Sequence, residues 1–298
     1  MYDAASQPVA VARRDAVGAG HSDAALYAAL RRGEVVRPLH GAYVDPARAL
    51  APDAFYRYPR ADAAVAAAYA ALAVLPPGSA IADETAGLVL CGLWPPDSRP
   101  RVLVPAPATC TRRPGAIVRE GVLGEDDVIV VDGLRTTSGT RTGLDLARRT
   151  SRPAGLVALD ALLHARVTTT SLLVAGLSRW AGHRGVLRAR ALVDLADGRA
   201  ESPGESRIRL ALLDAGLGPV ELQVPVCGGR FRVDLVVRGR VAIEFEGRHH
   251  EEPGVQLADR PRFNALGGLP YARVLRYGSR DLSRLGAVVA EVRAALIC

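Results

Sequence analysis

The sequence predicts a mixed α/β (α+β) protein, with helices and short strands interleaved along its length. Three observations predict it. Apolar residues recur at helical spacing, as in Leu26 and Leu30, and again in Leu156, Leu159, Leu162 and Leu163. Short runs alternate with period two, as in Val233, Leu235 and Val237, then Val241, Ile243 and Phe245. Gly and Pro, 30 and 20 of 298 residues, break these runs into pieces of ordinary element length. At ~150 residues per domain the length suits about two domains. The punctuation suggests three regions: 1–50, 51–200 and 201–298.

Several classes are excluded at once. The Ala-rich run over residues 61–75 is the most apolar, but Asp62 interrupts it and Pro76-Pro77 ends it, short of the ~18 residues a membrane span needs. The N-terminus lacks the basic-then-apolar order of a secretory signal. The expectation is a soluble, cytoplasmic protein with no membrane partner. Cys91, Cys110, Cys227 and Cys298 lie far apart, so no Cys-x-x-Cys zinc ribbon or redox pair exists. All 38 basic residues are Arg, and no mechanism can use a lysine ammonium. Residues 135–200 hold 11 Arg against 4 acids, an excess suited to phosphate contact or to a solvated helical face.

The first region reads as two helices and a hairpin. One helix is expected over residues 8–16, with Gly18 and Gly20 in the turn. Ser22 is a good N-cap for a second, Asp23 sits in its positive first turn, and Gly33 follows Arg31-Arg32 as its stop. Residues 35–39 and 42–44 read as two extended pieces joined at His40-Gly41. Helix, turn, helix and wing is the order of a winged helix-turn-helix. The segment from Gly20-His21-Ser22-Asp23 through Arg31-Arg32-Gly33-Glu34-Val35-Val36-Arg37-Pro38-Leu39-His40-Gly41-Ala42-Tyr43-Val44 resembles the N-terminal domain of AbiEi-type antitoxins. The resemblance implies DNA binding, with residues 22–32 as the reading helix and Ser22, Arg31, Arg32 and Arg37 as contacts. A protein-docking winged helix is the alternative.

The middle region reads as helices over 61–75 and 80–90, strands over 101–105, 116–120 and 127–131, and a further helix opened by the Thr-rich stretch at 136–142. It contains no phosphate-binding glycine loop and no nucleophile elbow. The Asp83-Glu84 pair fits a helix first turn without chemistry. From 155 to 197 the pattern is helical and basic.

The last region carries the most specific signal. Ser202-Pro203-Gly204-Glu205 opens a helix, and Ser202 with Glu205 fits a capping box. Strands follow over 230–237 and 241–246. Their two apolar sets share a core only if Arg238-Gly239-Arg240 is the loop and Val237 pairs with Val241. That register sets Asp234 opposite Glu244, with Glu246 two residues on along the same face. Opposed acids on a sheet are destabilising unless a cation joins them, and hard divalent ions take such oxygens.

A helix bearing Glu followed by a hairpin bearing Asp and Glu is the arrangement of PD-(D/E)xK nucleases. The strings Ser202-Pro203-Gly204-Glu205-Ser206-Arg207, Arg232-Val233-Asp234, Ile243-Glu244-Phe245-Glu246-Gly247-Arg248-His249-His250 and Asp259-Arg260-Pro261-Arg262 resemble a bacterial family related to very-short-patch-repair endonucleases. The resemblance implies a restriction-endonuclease-like fold hydrolysing phosphodiester bonds with Mg²⁺ or Mn²⁺. It assigns Asp234 and Glu244 as metal ligands and Glu205 as a third, water-mediated carboxylate. Glu246 stands where that family usually has an acidic residue in place of the superfamily's lysine, His249 or His250 supplies general acid or base function, and Arg262 holds a phosphate. Two functions follow as expectations: a metal-dependent DNA endonuclease targeted by its winged helix, or a non-enzymatic DNA-binding antitoxin or regulator with a toxin partner and an inactive nuclease-like domain.

Overall fold

A computed structural model describes residues 9–49, 61–93, 97, 99–108, 112–246, 271 and 273–297. The chain divides into two compact units. The first comprises Met1–Arg149 and Ala165–Arg190, the second Thr150–His164 and Ala191–Cys298.

In the first unit, β1 (Ala10–Ala12) runs directly into α1 (Arg13–Gly18). The helix expected over 8–16 is thereby corrected. Ala and Val tolerate either state, and tertiary pairing decides: β1 lies antiparallel to β2 (Ala42–Val44), with Ala10 opposite Val44 and Ala12 opposite Ala42. The expected hairpin is corrected too, because residues 35–39 supply only an isolated bridge from Val36 to Val44. α2 (Asp23–Arg32) forms as its signals require. Ser22 Oγ accepts the Ala25 N–H at 3.2 Å, and Gly33 ends the helix at φ +75°. Leu26 and Ala29 bury their side chains among Val11, Ala16, Val35 and Tyr43.

α3 (Ala61–Val74) is buried from Ala64 through Ala71. Its small side chains allow close approach, so β1 and β2 and a five-stranded sheet all touch it. That sheet has the order β5-β4-β3-β7-β6, with β3 (Ala80–Ile81), β4 (Arg101–Pro105), β5 (Ile117–Gly121), β6 (Val128–Val131) and β7 (Leu134–Thr137). β3–β4 and β6–β7 are antiparallel; β3–β7 and β4–β5 are parallel. The helix expected over 80–90 begins later, because its first two residues are β3 and only then does α4 (Asp83–Cys91) start. β6 and β7 close on Asp132 (φ +48°) and Gly133 (φ +82°), the two left-handed positions of a type I′ hairpin. α5 (Gly139–Arg149) packs on α4 and on α7 (Thr170–Gly176), while α6 (Arg152–His164) belongs to the second unit.

α8 (Val186–Leu195) carries the chain into the second unit, which is built on a four-stranded sheet of order β11-β10-β9-β8. After α9 (Pro203–Asp214) come β8 (Val220–Val226), β9 (Phe231–Val237) and β10 (Val241–Glu246) as antiparallel neighbours. β11 (Arg273–Gly278) then lies parallel to β10 and leads to α10 (Leu285–Ile297). Val237 pairs with Val241, so Leu235, Val237, Val241 and Ile243 meet Ile208, Leu212, Val288 and Val292 in one core. β8 contains Pro225, which has no N–H to donate, and its place at the sheet edge accommodates that loss. Among the described residues no helix is long and apolar enough to cross a membrane.

Candidate functional site

Three groups of charged side chains stand out, and the first is on α2. Its N-cap uses Ser22 Oγ as an acceptor, and Asp23 is forked by Arg13, with Arg13 Nε donating to Asp23 Oδ1 at 2.8 Å. Tyr27 and Arg31, four residues apart, share one exposed helical face. Arg32 donates Nε and Nη2 to Glu34 at 2.6 and 2.9 Å. Arg37 is exposed beyond the helix. The predicted set Ser22, Arg31, Arg32 and Arg37 therefore lies on one short stretch, with Arg32 already committed to a carboxylate.

The second group is buried, and sequence reading missed it. Asp145, on α5, accepts from Arg119 Nη2 at 2.7 Å, Arg141 Nε at 2.8 Å and Arg148 Nη2 at 3.2 Å. Arg141 Nη1 reaches Asp127 at 2.8 Å, and Arg179 grips the same carboxylate at 2.6 and 2.8 Å. Arg119 also forks onto Asp83 at 2.8 and 3.0 Å, while Glu84 pairs with Arg101 at 2.7 Å. The Asp83-Glu84 pair thus anchors two strands as well as opening a helix. Burial alone would raise the Asp145 carboxyl, but Arg119 and Arg141 outweigh it and hold the group below the usual aspartate value. Trp180 lies against the guanidiniums of Arg148, at 3.8 Å, and Arg141, at 4.9 Å. Arg141 and Arg148 belong to the Arg excess at 135–200, so part of that excess neutralises interior acids. The signal was present in the i, i+4 and i, i+3 spacing of Arg141, Asp145 and Arg148.

The third group is in the second unit. Glu205 sits in the first turn of α9, nearly buried, with its N–H donated to Ser202 Oγ at 3.1 Å. Its carboxylate reaches back to the Glu201 N–H at 3.0 Å, one residue before the usual capping-box partner. The same oxygen accepts from Gln223 Nε2 at 3.0 Å. Burial, and then the charge of Asp234, push Glu205 up to about 7. Gln223 has φ +53°, an uncommon conformation for this residue type in a strand, and the β8–β9 ladder skips it between Leu222 and Val224. Asp234 accepts the Phe245 N–H at 2.8 Å, so its side chain caps the ladder where the β9–β10 pairing stops after Ile243. Glu244 is buried on β10, level with Arg276 of β11, and Glu246 is exposed at the strand end. His249, His250 and Arg262 lie outside the described residues. The structure thus brings Glu205, Gln223 and Asp234 together. Among the described residues no three His, Cys, Asp or Glu side chains converge as a metal ligand set.

Residues 81–195 match the family described as the AbiEi antitoxin C-terminal domain. Two uncharacterised proteins of Mycobacterium tuberculosis, from strains CDC 1551 / Oshkosh and ATCC 25618 / H37Rv, are each 37% identical over 141 residues. The aligned part is 46% of this chain and 52% of each relative, so the chain spans about half the length of the curated relatives it matches. The AbiEi match falls on the middle region, whereas the resemblance read from the residues themselves lies on 20–44. Asp83, Arg119, Asp127, Arg141, Asp145, Arg148, Arg179 and Trp180 all lie inside the matched span, so the buried ionic network is the interior of the AbiEi-like segment. The match stops short of residue 200, and the nuclease reading stands on the side chains of the second unit alone.

Proposed function

We propose that this chain is a DNA-binding regulator of antitoxin type, acting in the cytoplasm with a toxin polypeptide as partner. The observation that carries the reading is the AbiEi antitoxin match over residues 81–195. The α2 segment supports it: α2 is capped at both ends, seats Leu26 and Ala29 in a core, and leaves Tyr27, Arg31 and the nearby Arg37 exposed. Exposed arginines neutralise backbone phosphates. Anisotropy titration of a duplex taken from upstream of the chain's own gene tests this. Arg31→Ala with Arg37→Ala should weaken binding and lower the slope of log K against log salt by about 0.9 for each phosphate no longer neutralised. Unchanged affinity and slope in the double variant would remove α2 from the interface.

Phosphodiester hydrolysis with Mg²⁺ or Mn²⁺ is the second reading. One observation favours it: Gln223 holds a strained backbone in order to face Glu205, beside Asp234, and strain of this kind clusters at functional sites. Nicking of supercoiled plasmid with either metal, with EDTA, and by Asp234→Ala and Glu244→Ala decides it. Cleavage abolished by EDTA and by both substitutions supports hydrolysis; DNA binding without cleavage leaves the regulator.

A further inference from the structure

The first unit contains an open cavity of about 730 Å³ lined by Arg148, Arg149, His183, Arg184, Gly185 and Arg188. No carboxylate is among these lining residues. Two elements and a turn build it. The end of α5 supplies Arg148 and Arg149, the turn after Trp180 supplies His183 and Arg184, and Gly185 opens α8 with Arg188 in its first turn. Gly185 has φ +82°, and a Cβ there would meet the Arg148 carbonyl oxygen at 2.2 Å, so only glycine lets α8 start this close to α5. A helix C-terminus normally repels anions. Here Arg188 covers it, donating Nε to the Ala147 carbonyl at 3.2 Å and Nη2 to the Arg148 carbonyl.

Arg148 is a fixed part of the cavity wall. It is more than nine-tenths buried, with its guanidinium on Trp180, Nη2 on Asp145 and Nη1 on the Arg184 carbonyl at 3.1 Å. Those contacts fix its orientation and use both terminal nitrogens inside the protein. The exposed guanidiniums of Arg149 and Arg184 then stand beside a cavity whose lining has no carboxylate, and the group that suits them is an oxyanion.

We propose that this cavity binds a phosphate group, held by the exposed guanidiniums of Arg149 and Arg184 at its rim. The phosphate comes from a nucleic-acid backbone or from a free phosphorylated ligand. The backbone is favoured because the cavity is open and no Trp, Tyr or Phe is among its lining residues for a base to stack on. That source rests on the DNA-binding reading above; the phosphate site does not.

The test uses the full chain as wild type, as Arg149→Ala with Arg184→Ala, and as the α2 double variant. Both rim residues are exposed, and an unchanged urea midpoint confirms that the rim variant folds. Each protein is titrated calorimetrically with inorganic phosphate, and by anisotropy with a mixed-sequence duplex from about 50 to 200 mM salt. For a backbone site, the rim variant lowers the duplex salt slope by about 0.9 to 1.8, independently of the α2 variant. For a free ligand, its phosphate affinity falls about tenfold or more, which is ~1.4 kcal/mol, with the duplex slope unchanged. Should the wild type bind no duplex, the DNA-binding reading fails and the phosphate titration alone decides the site. A rim variant indistinguishable from wild type in every titration that detects binding, or a wild type that binds neither probe, overturns the proposal.

Discussion

Replacing Asp145 by Asn would remove the central anion of the buried network while keeping its shape. Asp145 has 1% of its side chain exposed and faces three guanidiniums. Arg119 would keep Asp83, and Arg141 would keep Asp127. Arg148 would retain only Trp180 and a carbonyl, and the new amide would point an N–H at a neighbouring guanidinium. At an effective dielectric of ~20, one unit-charge pair about 4 Å apart is worth ~4 kcal/mol, and breaking a buried pair costs ~3–5 kcal/mol. The cation–π contact offsets at most ~2 kcal/mol for Arg148 and was already present in the wild type. The expected loss is therefore about 4 kcal/mol, roughly a thousandfold in the folding equilibrium and about 8–16 °C in Tm. Urea unfolding followed by Trp180 emission in a Trp94→Phe background reads the first unit directly. Asp83→Asn, at the better-solvated rim, should cost less, about 1–3 kcal/mol. A loss below about 1 kcal/mol for Asp145→Asn would mean that water screens the network and that the burial argument is wrong.

In the second unit, Glu205 is raised from the ordinary 4.5 to about 7, so its contribution is fully present below pH 4.5 and is lost as pH rises through 7. At ~1.4 kcal/mol per pH unit this is about 3 kcal/mol, and Glu205→Gln should match wild type at pH 4 yet exceed it by up to that amount at pH 8 in chemical denaturation. Equal midpoints at pH 8 would refute the assignment. The first unit has the opposite sign: Asp127 and Asp145 are held low, so their stabilisation exists above the ordinary aspartate value and disappears as pH falls through the folded one, which acid titration of Trp180 emission should show. Gly204→Ala places a Cβ 2.2 Å from the Phe245 ring, so the second unit should lose about 1–3 kcal/mol; a neutral result would show that the ring moves freely. Arg209→Met strands the buried Asp160, its partner at 2.8 and 3.0 Å, and should cost about 3–5 kcal/mol. Adding Asp160→Leu should recover most of that in the same unfolding assay.

The second unit was legible because its rules are local. Alternation on β9 and β10 allows only one three-residue loop, and the Ser202, Pro203 and Gly216 signals bracket α9 with no tertiary information. β7 was legible and overlooked, since Asp132-Gly133 between apolar runs is a hairpin signal. β1 was not, because short Ala and Val side chains at 9–12 leave the choice to pairing with β2. The ionic network was hidden for a different reason. Arg119, Asp127, Arg141 and Arg179 are spread over some sixty residues, and on a helical wheel Arg141, Asp145 and Arg148 look like a solvated face. Only packing α5 against α4 and α7 turns that face inward. Gln223 was likewise unreadable, because a positive φ in a strand leaves no mark on a glutamine.

The order in which the chain visits its two units governs how the protein can be made and dissected. α6 is used by the second unit but emerges between α5 and α7 of the first. A ribosome must therefore release residue 179 before Asp127 is fully bound, while α6, with its buried Asp160, waits for Arg209 some fifty residues later. A fragment cut at residue 149 forfeits Arg179 and Trp180, and one starting at 201 deprives Arg209 of Asp160 and of the Leu195 carbonyl. Neither unit is one uninterrupted stretch of sequence, so a single cut in the chain separates neither of them whole.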